Sequence, residues 1–139
     1  MKNDFWLNLP TKDLPRARKF FTDLGFEMNQ VPGNPTHMVS MVLGEKKIIV
    51  NIFEEALFRE FIGGHKVTDA RESNEVLFSL GADSPQEVDQ WMDKAVKAGA
   101  TVYGKPGYKD GWMYGAGFVD PDGHRWNLLF MDMSKFPNR

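Results

Sequence analysis

The chain contains no cysteine, which excludes disulfides, thiol catalysis and thiolate metal sites together. It has no apolar run approaching the roughly 18 residues of a membrane helix, and its first residues, up to Phe5 and Trp6, hold none of the apolar core of a secretion signal. No cluster of one charge stands out: 17 basic residues face 19 acidic ones for a formal net charge of −2, and a basic stripe for nucleic acid is missing. Histidine is scarce, with His37, His65 and His124 at spacings that make no local motif. These absences leave a cytoplasmic globular protein of 139 residues, one domain by length, with 42% apolar and 26% charged residues.

What is present is periodicity broken by clear stops. Residues 4–9 alternate, with Phe5, Leu7 and Leu9 on one face and Trp6 and Asn8 on the other, which predicts a half-buried strand. Asp13 then caps a helix with Pro15 in its first turn, Ala17, Phe20, Phe21 and Leu24 form its apolar stripe, and Gly25 ends it. Residues 26–31 read as a short strand, Pro32-Gly33-Asn34-Pro35 as a loop, and residues 36–43 and 46–53 as a hairpin about Gly44-Glu45. A short helix follows at 54–62, stopped by Gly63-Gly64, and residues 65–74 form a loop without periodicity. The pattern then restarts. Residues 75–80 alternate as a strand, and Ser84 opens a helix with Glu87 at capping-box spacing. That helix carries a stripe of Val88, Trp91, Met92, Ala95 and Val96 and stops at Gly99; residues 100–103 give a short strand and 104–111 a Gly/Pro-rich loop.

The last segment, 112–132, holds two apolar runs around Asp120-Pro121-Asp122-Gly123, a strong hairpin signal. On its second strand Arg125, Asn127, Leu129 and Met131 share one face, and His124, Trp126, Leu128 and Phe130 the other. The second set suits a core; the first, with Asn127 among apolar neighbours, suits a pocket wall. The whole order is β-α-β-β-β, a connection, then β-α-β-β-β again, and the closing strands match as Ile49-x-Asn51-x-Phe53 and Arg125-x-Asn127-x-Leu129. The expected architecture is α+β. Module one covers 4–53, a linking helix and loop 54–74, module two 75–132 and a C-terminal tail 133–139. Each helix covers one sheet face and leaves the other free to enclose a shared cleft.

The run from Phe5 through Asp13-Leu14-Pro15, Phe20-Phe21 and Leu24-Gly25-Phe26, together with Met113-Tyr114-Gly115, Phe118, Asp120-Pro121-Asp122-Gly123-His124 and Trp126, resembles the vicinal oxygen chelate superfamily. That superfamily includes glyoxalase I, the bleomycin and fosfomycin resistance proteins and the extradiol dioxygenases; within it the chain looks most like bacterial glyoxalase-family, lactoylglutathione lyase-like proteins. The resemblance spans about residues 4–132. It implies two βαβββ modules forming a curved mixed sheet around a cleft, a homodimer, and a divalent metal held by residues of the first and last strands of each module. The metal would polarise vicinal oxygens of the substrate. The implied ligand positions fall on Trp6, on Asn51, on Glu75 or Leu77, and on Asn127, where catalytic members carry a glutamate. These positions mostly lack the usual donors, so the metal assignment is none, with a divalent cation admitted only through an unusual set.

The candidate residues therefore divide by role. Glu75 is the candidate catalytic carboxylate, and its plainer reading is a rim residue paired with Arg71 or Arg125. Trp6, Asn51, Leu77, Tyr114, Asn127 and His37 are candidate ligand-binding residues. The amides would orient a small molecule, or bond each other or a buried water; Tyr114 would stack on a ligand or sit in the core; His37 would line the cleft or remain at a strand start. The helix at 54–62 would act as a lid or cover a dimer contact. The leading expectation is a small-molecule-binding protein of the glyoxalase/bleomycin-resistance type without the full metal site. The alternatives are a glyoxalase-type lyase or isomerase with an unusual ligand set, and a dimeric regulatory or interaction protein. Neither nucleic acid nor membrane is an expected partner.

Overall fold

The computed structural model describes residues 4–31 and 35–136, so the expected loop at 32–34 and the end of the tail lie outside the described residues. The chain separates into two compact units, Met1–Asp69 and Ala70–Arg139.

The first unit runs β1 (Trp6–Thr11), α1 (Leu14–Leu24), β2 (Glu27–Met28), a 3₁₀ turn at Pro35–His37, β3 (Met38–Leu43), β4 (Ile48–Glu54) and α2 (Glu55–Phe61). Its sheet order is β1-β4-β3-β2, with β1 parallel to β4 and the other pairs antiparallel. Helix α1 begins where its sequence says it should: the Asp13 carboxylate accepts the Arg16 N–H at 3.0 Å, and Gly25 closes it at φ 95° by donating to the carbonyls of Phe21 and Thr22. Its stripe of Ala17, Phe20, Phe21 and Leu24 is buried against one sheet face, where Leu9, Val39, Met41, Val50 and Ile52 point inward. Each large side chain so buried contributes about 1.5–3 kcal/mol. This is the core of the unit.

The second unit repeats the plan with β5 (Leu77–Gly81), α3 (Pro85–Ala98), β6 (Thr101–Lys109), β7 (Met113–Val119), β8 (Arg125–Met131) and a 3₁₀ turn at Met133–Lys135. Its order is β5-β8-β7-β6, again with one parallel pair, β5 and β8. Ser84 caps α3 by accepting the Glu87 N–H at 3.1 Å, and Gly99 ends it at φ 112°. Val88, Met92 and Ala95 are buried against Trp126, Leu128, Phe118 and Ala116, so the core face of β8 is the one its alternation indicated. Both units are thus mixed βαβββ sheets, and the architecture is α+β.

Several boundaries differ from the periodicity. The segment at 104–111, expected as loop, belongs mostly to β6, which reaches Lys109. Glycine and Pro106 hide a strand from any alternation count, yet β6 is a sheet edge, where a missing N–H is tolerated. Its pairing with β7 also shifts register between Val102 and Gly104 and again between Gly104 and Gly107. Strand β2 is only two residues long, and β5 starts at Leu77, which leaves Glu75 in a bend ahead of the ladder.

Candidate functional site

The sheet face of the first unit that α1 leaves open is laid out in rows fixed by register. Asn8 of β1 pairs with Asn51 of β4, which pairs with Ser40 of β3. Asn51 donates from Nδ2 to Asn8 Oδ1 at 3.1 Å, and Asn29 donates from Nδ2 to Ser40 Oγ at 3.1 Å. On one side of this polar row lie Trp6, Ile49 and Val42; on the other lie Pro10, Phe53 and Met38. Helix α2 folds back against β1 and β4, with the Phe61 ring edge-on to Phe53 at 5.1 Å. A neutral hydrogen-bonding strip between apolar strips gives a flat molecule both contact area and orientation.

Within that strip one atom stands apart. Asn51 is 8% exposed, and among the described residues its Oδ1 is buried and accepts no hydrogen bond. An unsatisfied buried acceptor costs about 1–3 kcal/mol.

The second unit carries the matching row: Ser79 of β5, Asn127 of β8 and Gly117 of β7. Here the row is filled from within. Gly117 has no side chain, and the ring of Tyr103 lies on it, because a Cβ at Gly117 would come within 2.3 Å of Tyr103 Cζ. The Tyr103 hydroxyl donates to Asn127 Oδ1, and the Arg125 guanidinium sits 4.8 Å from the centre of the Tyr103 ring. Burial pushes the Tyr103 phenol above its ordinary value, with Arg125 pulling the other way.

The hairpin turn beside this row is tied by one carboxylate. Asp120 is 4% exposed. Its Oδ1 accepts the N–H groups of Asp122 at 2.9 Å and His124 at 3.0 Å, and its Oδ2 accepts the indole N–H of Trp126 at 3.1 Å. Burial raises the Asp120 carboxyl, opposed by His124 and by the Trp126 bond. Gly123, at φ 96°, presses against the backbone of Ala70 and Arg71 so closely that a Cβ would sit 2.5 Å from the Arg71 nitrogen. Asn74 and Arg71 fasten the same turn through the carbonyls of Gly123 and Pro121. The residues from Asp120 to Trp126 thus form a structural knot, with His124 buried in it rather than on an open face.

The expected site residues fall in different places. Trp6 and Asn51 share the open face of the first sheet, with Trp6 63% exposed. His37 ends the 3₁₀ turn ahead of β3 and is exposed. Leu77 and Asn127 share the open face of the second sheet. Tyr114 does not join them: it pairs with Phe130 on the α3 side, and its hydroxyl donates to Asp89 Oδ1 at 2.7 Å. That bond is the main reason its phenol is raised. Glu75 is exposed and makes no ion pair among the described residues. Its expected partners are engaged elsewhere, since Arg71 reaches the turn and Arg125 donates to Asn74 Oδ1 at 3.2 Å.

Asn8, Ser40, Ser79 and Tyr103 were not among the expected site residues, although alternation had put Asn8 on the face of Trp6. The first three were recoverable from register once the β1–β4 and β5–β8 pairings were drawn; Tyr103 was hidden by the bulged strand. The donor set does not fit a divalent metal of the kind the resemblance implies. Trp6 and Leu77 offer no lone pair, Glu75 is exposed in a bend ahead of the β5 ladder, Asn51 Oδ1 is buried, and Asn127 Oδ1 already accepts a hydroxyl. Among the described residues no three His, Asp or Glu side chains gather as a metal would require.

Comparison with known proteins agrees with the architecture. The sequence model of the Glyoxalase/Bleomycin resistance protein/Dioxygenase superfamily matches residues 5–128. A solved structure of a hypothetical protein from S. aureus is 35% identical, with a TM-score of 0.78 and 94% of each chain covered. A glyoxalase-related enzyme from Fulvimarina pelagi is 20% identical with a TM-score of 0.77, covering 94% of this chain and 88% of its own. A lactoylglutathione lyase from Agrobacterium tumefaciens is 20% identical with a TM-score of 0.64, covering 98% of each chain. No curated protein matches the sequence.

Proposed function

The chain belongs to the glyoxalase/bleomycin resistance protein/dioxygenase superfamily, and from that membership we propose that it binds a small organic molecule against the open sheet faces of its modules, held by neutral side chains rather than by a metal's full ligand set. The observation that carries this reading is the neutral hydrogen-bonding row Asn8–Asn51–Ser40 set between two apolar rows on a sheet face that α1 leaves open. A ligand's polar groups would hydrogen-bond along the Asn8–Asn51–Ser40 row while its apolar body covers Phe53, Ile49 and Trp6. The asparagine at 127 supports the same view, because the position offers no carboxylate to bind a metal or take a proton.

The test is a screen of small neutral and charged organic molecules by thermal shift, followed by calorimetry on Asn51→Leu. Ligands should raise the melting temperature of the native protein, and the substitution should remove that rise while the fold persists. The opposing outcome is metal chemistry. Tight binding of zinc, nickel, manganese or iron, with turnover of the methylglyoxal–glutathione hemithioacetal, overturns the proposal.

A further inference from the structure

The open face of the second sheet carries an unusual surface. Glycines stand opposite glycines there: Gly104 pairs with Gly117 and Gly107 with Gly115 across β6 and β7. Four missing side chains on two neighbouring strands cut a groove of about 600 Å³ into a face that would otherwise be level. Two of the vacancies are leaned upon, Gly117 by the Tyr103 ring and Gly115 by Leu129, whose Cδ2 would lie 2.7 Å from a Cβ. At Gly107 a Cβ would meet nothing within 4 Å. Tyr103, Met113 and Leu129 supply apolar walls, and Asn127 a polar one.

Among the described residues, the charged side chains that line the groove are of one sign. Lys105 and Lys109 line it, and no aspartate or glutamate does. Among the described residues neither lysine is ion-paired. Arg125 lies against the Tyr103 ring, adding a third positive group in a chain whose net charge is −2. A local field opposite to the overall balance is the pattern that draws an anion to one place. We infer that this groove takes a small flat organic anion, an aryl carboxylate or a molecule of like shape and charge. Its ring lies on the glycine floor beside Tyr103 and Leu129, and its anionic end meets Lys105 and Lys109. This inference rests on the small-molecule reading above and adds the charge and shape of the ligand for module two.

The experiment uses three probes of one shape: 2-naphthoate, 2-naphthylmethanol and 2-naphthylmethylammonium, titrated into the native protein by calorimetry at low salt. Naphthoate should bind roughly tenfold tighter than the alcohol, as two exposed charge contacts allow, and the ammonium more weakly than either. The Lys105→Gln/Lys109→Gln double variant should lose that preference while melting as the native protein does. Gly107→Leu, at a position outside the left-handed region, should fill the groove and weaken naphthoate binding at least tenfold without loss of fold. An alcohol that binds as tightly as naphthoate, or a preference untouched by the double variant, overturns the anion inference and leaves the small-molecule reading standing. Binding unaffected by Gly107→Leu overturns the location. Failure of all three probes to bind overturns the inference, and failure of the broad screen as well overturns the reading beneath it.

Discussion

Replacing Asp120 tests the knot at the second module's hairpin most directly. In Asp120→Ala the indole N–H of Trp126 and the backbone N–H of His124, both buried, lose their acceptor, while the Asp122 N–H turns to water. Loss of this acceptor by two buried donors costs about 1–3 kcal/mol each. Release from holding a carboxylate out of water offsets part of this, so the expected loss is about 3 kcal/mol. Asp120→Asn keeps an oxygen for the two backbone groups but turns an amide N–H toward the Trp126 N–H, for a loss of about 2 kcal/mol. The pH dependence has a fixed sign. Burial raises the folded carboxyl above its unfolded value, so its contribution is whole below the unfolded value and declines as pH rises through the folded one. Asparagine does not titrate there. The stability gap between native protein and Asp120→Asn should therefore be widest at pH below the ordinary carboxylate range and narrow as pH rises above it. Urea unfolding followed by circular dichroism across that range measures it. A variant as stable as the native protein within about 0.5 kcal/mol, or a gap that widens toward neutral pH, refutes the account.

Three further outcomes follow from geometry already described. Gly123→Ala combines a positive φ with a backbone contact at 2.5 Å and should cost about 2–3 kcal/mol in the same unfolding assay. Gly117→Ala should push the Tyr103 ring off β7 and break its bond to Asn127, leaving the phenol in water; a spectrophotometric titration should then show it ionising at lower pH than in the native protein, where burial raises it. Asn51→Leu removes an amide whose oxygen is unsatisfied and forfeits the bond to Asn8, two effects of opposite sign, so unfolding free energy should change by less than about 1 kcal/mol.

The fold was legible in the sequence wherever local chemistry decides it. Asp13 with Gly25, and Ser84 with Gly99, mark two helices by caps that need only neighbouring residues, and the alternation along 125–130 assigned the core face of β8 correctly. The failures lie where long-range contacts decide. β6 is a strand because β7 pairs with it, despite its glycines and Pro106, and no periodicity records that. The candidate site was half legible for the same reason. Asn51 and Asn127 stood out by their equivalent places in the repeat, but Asn8, Ser40 and Tyr103 reach them only across strands. Tyr114 was placed by strand spacing without a register, and one residue of parity carries it to the α3 side.

The amide pair Asn8–Asn51 bridges residues 43 apart in sequence, at the parallel joint between the first and last strands of its sheet. Closing so long a loop comes at an entropic cost that hairpin contacts do not bear. A molecule that seats across the row would act as a clasp on that joint. Its presence would then be felt in time as well as in affinity, as slower unfolding and longer survival against proteases, with module one gaining more persistence than the strength of any single contact suggests.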